Sequence, residues 1–422
     1  MTLCEGDEQV RRTAEAVARR SYGKLVAFLA SRTCDVAAAE DALSEAFESA
    51  LKDWPAKGCP ENPEAWLLTV ARRKLLDDLR RRRNGDCAAE ELQVLHEGSA
   101  TLAGTETTGE SEIPDRRLGL MFACAHPAIE LSIRAPLMMQ VVLGLDAARI
   151  ASAFLMSPAA MGQRLVRAKS KIRQAGVPFR VPAREDGLRD RLSTVLDAIY
   201  AAFAEGWIDA AGTDVARREL AGEAMFLCRL VTELLPEEPE ARGLLSLMLH
   251  AEARRLARRS RLGDFIPLAE QDPAVWDWSM IVEAEERLLE ASALGCVGRY
   301  QLEAAIQSAH VERRRTGRDN RCEVMQLYDA LWRRSNSPVV AINRALAVAE
   351  LNGAASALEA IDQAAGDMRL AEYQPYWAAR AELLARTGAD KEARQAYEMA
   401  IGLEHDPSVR RFLQQRQSAL SL

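Results

Sequence analysis

Two clusters of cations carry the chemistry that this chain offers. Arg72, Arg73, Lys74 and Arg80–Arg83 supply seven positive charges against Asp77 and Asp78. Arg164, Arg167, Lys169, Lys171, Arg173 and Arg180 supply six more with no acid between them. Guanidinium and ammonium groups pair with phosphate, and arginine or glutamine can also bond base edges. Residues 84–115, between the clusters, hold eight acids and no base. Two basic blocks joined by an acidic tether suggest two small modules facing nucleic acid. Two solvated basic helix faces are the plainer alternative. Catalysis is not expected, because the chain has no glycine-rich phosphate loop and no nucleophile–base pair. The eight cysteines and five histidines are scattered. The close pair Cys124 and His126 lacks the two further ligands a structural zinc needs. No metal or cofactor is expected, and the thiols read as buried or idle.

The elements that must hold these cations are helices. Alanine and leucine dominate, β-branched runs are short, and apolar spacings of three and four recur, so the fold class is all-α. Helices are expected over 9–31, 35–53, 63–83, 115–125, 130–143, 146–154 and 158–174. A linker at 84–114, rich in glycine and threonine, should separate a domain at 9–83 from one at 115–180. From 185 to 422 the chain reads as helical pairs punctuated by Pro236, Pro239, Gly263, Pro267, Pro273, Gly295, Pro338, Gly353 and Gly388. Gly353 and Gly388 lie 35 residues apart, and Ala393, Tyr397, Ala400 and then Asp406-Pro407 follow the second. That resembles a tetratricopeptide unit, whose period is ~34 residues. Residues 1–180 sum to a charge of about +1 and residues 181–422 to about -8, so the last part should repel phosphate. The longest apolar run, Ala135–Leu145, is short of the ~20 residues of a membrane helix. The N-terminus lacks a signal pattern, and a cytoplasmic protein is expected.

Within the second module, Asp146 can cap a helix, and Ser157 with Pro158 can open the next. Met161, Leu165, Ala168 and Ile172 then form a buried stripe, which leaves Ala160, Gln163, Arg164, Arg167 and Lys171 on the far side. A helix, a tight turn and a basic, amide-bearing helix is how helix-turn-helix proteins read the major groove. Within the first module, Leu68, Ala71, Leu75 and Leu79 make the buried stripe of a helix opened by Asn62-Pro63. Thr69, Arg73 and Arg80 share another face, with Arg72 beside them. A loop at 54–62 precedes it, with Trp54, Lys57 and a polar tip. A basic helix beside a polar loop can hold a phosphate backbone and take an unstacked base. The alternative is that Trp54 and Trp66 are core.

These residues resemble the extracytoplasmic-function (ECF) sigma factors of bacterial RNA polymerase. Ala39-Glu40-Asp41-Ala42-Leu43-Ser44-Glu45-Ala46-Phe47 looks like the family's region-two motif. The stretch from Ala65 to Arg73, with Asp77, Leu79, Arg80 and Arg81, looks like its promoter-melting helix. Gly144–Ala151 followed by Arg164–Lys169 looks like its region-four helix-turn-helix. The segment after 185, with Cys124–Pro127 and Gly176–Pro182, is similar to the subgroup with a long tetratricopeptide-like extension. Ser44 stands where Gln is usual, Arg149 where Glu is usual and Asp78 where a basic or neutral residue is common.

The resemblance implies a function without catalytic residues. Asp41, Leu43 and Glu45 would face core RNA polymerase. Trp54, Lys57, Asn62, Thr69, Arg72, Arg73, Lys74 and Arg80 would engage the minus-ten element and hold its strand open. Ala160, Gln163, Arg164, Arg167, Lys169 and Lys171 would bind the minus-thirty-five element. The acidic linker would thread a basic channel of the polymerase. The acidic C-terminal domain would regulate or bind a partner protein. A conventional helix-turn-helix regulator with a helical effector domain is the alternative, and a helical scaffold without a DNA role is a third.

Overall fold

The computed structural model describes residues 21–83, 113–154, 156–182, 187–207, 215–364 and 370–420. It omits the side chains of 78–83, 152–153, 215–218 and 363–364. The described residues are all-α; the nearest thing to a sheet is one isolated bridge between Arg259 and Phe265. None of their helices is long and apolar enough to cross a membrane. Contacts divide the chain into compact units at Met1–Gly206 and Trp207–Leu422.

Among the described residues the first unit starts with three helices: α1 over residues 21–33, α2 Val36–Lys57 and α3 Pro63–Arg83. Asp35 caps α2 by accepting from the Ala38 N–H at 3.1 Å. Asn62 caps α3 the same way, accepting from Ala65 N–H at 3.0 Å. Each satisfies a donor that the first helical turn leaves without a partner. Leu25, Leu29, Leu43, Ala46, Leu67, Leu68, Ala71 and Leu75 are buried apolar side chains of the three.

The same unit continues with α4 Arg117–Cys124, α5 Leu131–Leu143, α6 Ala147–Ala153, α7 Pro158–Gln174 and α8 Leu188–Trp207, the last up to Gly206. Gly144 ends α5 at φ 72, a left-handed turn for which glycine carries no Cβ penalty. Asp146 accepts from Arg149 N–H at 2.8 Å and caps α6. Ser157 caps α7 through Ala160 N–H at 3.3 Å, with Pro158 in the first turn. The expected stripe of Met161, Leu165, Ala168 and Ile172 is buried. Arg191 of α8 lies over the Phe122 ring at 5.6 Å.

The second unit is a succession of helices: α9 Val215–Leu234, α10 Pro239–Glu252, α11 Trp278–Ala293, α12 Arg299–Thr316, α13 Arg321–Ser335, α14 Pro338–Asn352, α15 Ala354–Ala364, α16 Gln374–Arg386, α17 Asp390–Leu403 and α18 Pro407–Ser418. Its core is broken into local clusters, each shared by neighbours along the chain. Leu302, Ile306, Leu331 and Val340 form one. Ile342, Ala345, Ala357, Ile361, Tyr376 and Leu383 form the next, and Ala381, Ala396, Tyr397, Ala400 and Leu413 another. Glu240 of α10 caps α12, accepting from Tyr300 N–H at 3.0 Å and Gln301 N–H at 3.2 Å. Arg259 reaches Asp406 at 2.5 Å.

Candidate nucleic-acid interface

The basic face of α7 is built by its cap and its stripe. Ser157 fixes where the helix starts, and the buried stripe fixes its rotation. Gln163, Arg167 and Lys171 are then exposed, and Ala160 is half-buried at the start of the same helix. Arg164 is held down by Glu130 at 3.0 Å and Ser132 at 2.5 Å. The Ser132 hydroxyl, which donates to Glu130 at 2.5 Å, and then the Arg164 charge hold the Glu130 carboxyl below its usual range. Ile129, Glu130, Ile133, Arg164, Arg167, Ala168 and Lys171 line an open groove of about 290 Å³. Its rim carries three cations and one carboxylate, so it suits a phosphate-bearing strand more than an apolar ligand.

Lys169 does not join this face. Its ammonium pairs with Glu40 of α2 at 2.7 Å, both side chains about nine-tenths buried (12% and 11% exposed). Two residues along α7 from Lys171 turn a side chain by about 200°, which carries Lys169 to the opposite side. Its assignment to a DNA face is corrected accordingly.

In the first module, Thr69 and Arg73 are exposed on α3, and the Thr69 hydroxyl donates to Ala65 O at 2.8 Å. Lys57 is exposed and pairs with Asp53 at 3.2 Å. Lys74 pairs with Glu45 at 2.9 Å, both about half exposed. A residue expected to face DNA and one expected to face polymerase therefore lie side by side and satisfy each other. Arg72 lies over the Phe28 ring at 4.9 Å, as does Arg32. Burial, and then the neighbouring Arg32 charge, bring Arg72 below the usual arginine value. Asn62 is exposed but spends its side-chain oxygen on the cap of α3. The side chain of Arg80 lies outside the described residues.

Two expected contact residues are core. Leu43 is fully buried and Trp54 is 2% exposed. Helix α2 runs on through Pro55 to Lys57, so Trp54 sits in its last turns and not in a loop. It meets the half-buried Trp66 edge-on at 5.5 Å and 65°. Asp41, by contrast, is exposed beside Leu43. Sequence reasoning missed Tyr22, Asp35, Glu40 and Arg173, which bind the two modules to each other. Their partners are distant in sequence, and no local pattern marks them.

The sigma-70 region 2 family matches residues 17–85, the span of α1, α2 and α3. A family of unknown function, DUF6596, matches residues 191–292, from α8 to α11. An uncharacterized protein of Rhizobium meliloti (strain 1021), R00370, is 37% identical over 372 residues, covering 88% of this chain and 87% of that one. No solved structure matches. A region 2 domain supports a sigma-factor-like role in RNA polymerase binding and transcription initiation. The chain belongs to the same family as the R. meliloti protein, and its N-terminal three helices are a sigma-70 region 2 domain.

Proposed function

We propose that the chain is a sigma factor of the ECF type. It would recruit core RNA polymerase and direct it to promoters through minus-ten and minus-thirty-five elements. One observation carries the reading: a sigma-70 region 2 domain is followed, in the same compact unit, by a helix–turn–helix pair with an exposed amide and cations on its second helix. In this reading Asp41 and Glu45 meet polymerase. Thr69, Arg72, Arg73 and Lys74 meet the minus-ten element, with Lys57, Asn62 and Arg80 beside them. Gln163, Arg164, Arg167 and Lys171 meet the minus-thirty-five element, with Ala160 at the point of entry.

The mechanism needs no catalytic group. Contacts made only with melted DNA shift the closed–open balance toward the open state. Base stacking contributes about 1–3 kcal/mol per base. The domains proposed are region two at 9–83, an acidic linker at 84–114, region four at 115–180 and a tetratricopeptide-like domain at 185–422, although its first helix, α8, groups with the first compact unit. The local, successive core clusters of α12 to α18 support that last reading. Its acidic balance makes it a regulatory or protein-binding part, since it would repel phosphate.

Run-off transcription with core polymerase on a library of promoter fragments tests the proposal. Transcripts that depend on the protein support it and return the promoter motif. Tight binding to duplex DNA with no transcript, from both the full chain and residues 1–184, would replace it with a conventional regulator. If deletion of 185–422 leaves transcription and every partner unchanged, the regulatory role of the C-terminal domain falls.

A further inference from the structure

The loop from α10 to α11 is far longer than a turn between neighbouring helices requires. It runs over residues 253–277, 25 in all, whereas 3 residues join α16 to α17 and 3 join α17 to α18. Loops longer than about 12–15 residues are uncommon in a compact unit and usually have a function. This one is tied down by its own main chain. Ser260 N–H donates to Asp264 O at 2.9 Å, and Ile266 N–H donates to Arg258 O at 2.8 Å. Arg259 and Phe265 face each other across the bridge so formed.

The loop is fastened to the last helix of the chain. Arg259 pairs with Asp406 at 2.5 Å, and the two side chains are 22% and 15% exposed. Arg259 also donates to the Ser408 hydroxyl. Arg416 pairs with Glu270 at 3.1 Å and Arg411 with Asp264 at 3.4 Å, both in more exposed settings. Between these ion pairs Phe265 meets Phe412 edge-on at 5.5 Å and 71°. Arg259 and Asp406 are 147 residues apart in the chain. In an open array of helical repeats each repeat touches only its neighbours. Here the last helix grips a loop near the start of the array.

The next arginine in the loop turns to a different partner. Arg258 donates to Trp207 O at 3.1 Å and lies over the Trp207 ring at 4.5 Å. Arg255 lies over the same ring at 5.1 Å. Trp207 is the first residue of the second unit. Burial, and then the Arg259 and Arg255 charges, bring Arg258 down to about 10, and the Asp406 charge opposes that fall. One carboxylate of α18 therefore serves both arginines as a counter-ion.

We propose that α18 is a clasp that closes the second unit end to end and, through the adjacent Arg259 and Arg258, couples the C-terminal helix to the junction at Trp207. The inference stands on the second unit alone and is independent of the sigma-factor reading. Displacing α18 loosens the loop and the junction. Helices α13 and α14 hold their own local clusters and are not disturbed.

Hydrogen exchange on the full chain, read by mass spectrometry, tests the clasp. Asp406→Asn removes the charge that faces Arg259, and asparagine still caps α18. It is expected to raise exchange at Ser260, Gly263 and Ile266 about tenfold, as loss of a charged hydrogen-bond partner does. Phe412→Leu removes the aromatic contact instead and is expected to raise exchange at the same amides a few-fold. Both should also speed exchange in the last turn of α8, by a smaller factor, with α13 and α14 unchanged. Phe265→Leu combined with Phe412→Leu should give less than the product of the single effects, because both remove one contact. Helix content by circular dichroism separates release from misfolding, and the two single variants act on different contacts. Faster exchange confined to α17 and α18 overturns the clasp, and so do independent effects at Phe265 and Phe412. Equal acceleration across α13 and α14 overturns it too, since the unit would then open as a whole. A loosened loop with α8 unchanged overturns the coupling to Trp207.

Discussion

Lys169 and Lys171 stand two residues apart on α7 and do different work. Lys171 is exposed on the groove, whereas Lys169 neutralises a buried carboxylate. Lys171→Ala is expected to weaken promoter binding by a similar factor on every sequence and to lower the slope of log affinity against log salt by about 1. Fluorescence titration over a salt series checks it; a change in sequence preference instead would make Lys171 a base reader. Trp54→Ala should act through stability. It removes a buried indole that packs against Trp66 and is expected to cost about 3–5 kcal/mol, read by denaturant unfolding. Normal stability with lost promoter melting would return Trp54 to the DNA interface. The residue types at 163, 164, 167 and 171 were legible because a 3.6 period assigns each a face. The burial of Leu43 and Trp54 was less so. Leu43 belongs to a motif tied to partner binding, and Pro55, one residue past Trp54, hides how far α2 runs.

Helix ends were the most legible elements. Ser157-Pro158, Asp146 and Asn62-Pro63 open helices where the cap chemistry places them. The buried stripe of α7 followed from spacing alone. Ser157→Ala is expected to destabilise the first turn of α7 by about 1 kcal/mol, seen as faster amide exchange at Ala160 and Met161. Unchanged exchange would mean that packing of the stripe, not the cap, sets the start of the helix. What sequence could not supply is the pairing of α7 with α2. Lys169 and Glu40 are 129 residues apart, and nothing in the local pattern of either helix distinguishes a lysine that meets phosphate from one that meets a carboxylate.

At the scale of the whole molecule, two histidines tie the stability of the C-terminal unit to acid. His250 in α10 is fully buried, and neither ring nitrogen has a hydrogen-bond partner. Glu285 lies 3.5 Å away, too far and too poorly aligned for a good hydrogen bond. Burial, and then the Arg254 charge, lower its pKa to about 3. Burial, with Arg313 and Arg254, lowers His310 to about 4. A histidine held neutral in the folded state takes up a proton on unfolding below its ordinary value of 6.5. The stability it contributes is complete above about pH 6.5 and is lost as pH falls toward the folded values. The slope for each is up to about 1.4 kcal/mol per pH unit. Thermal unfolding of the full chain at pH 7 and pH 5 is expected to show the C-terminal unit losing stability. His250→Gln should flatten that loss; an equal loss in the variant would place its origin elsewhere.

Gly23 gives the contact between the two modules a genetic signature. Its Cβ position is occupied by the main chain of Val142, and a main chain cannot rotate out of the way as a side chain can. Any replacement at position 23, from alanine upward, separates α1 from α5. A saturation library at that single codon would therefore yield a graded series of forced separations, ordered by side-chain volume and not by polarity. Only glycine would keep the two helices in contact, and every other residue would be depleted or enriched in order of its size.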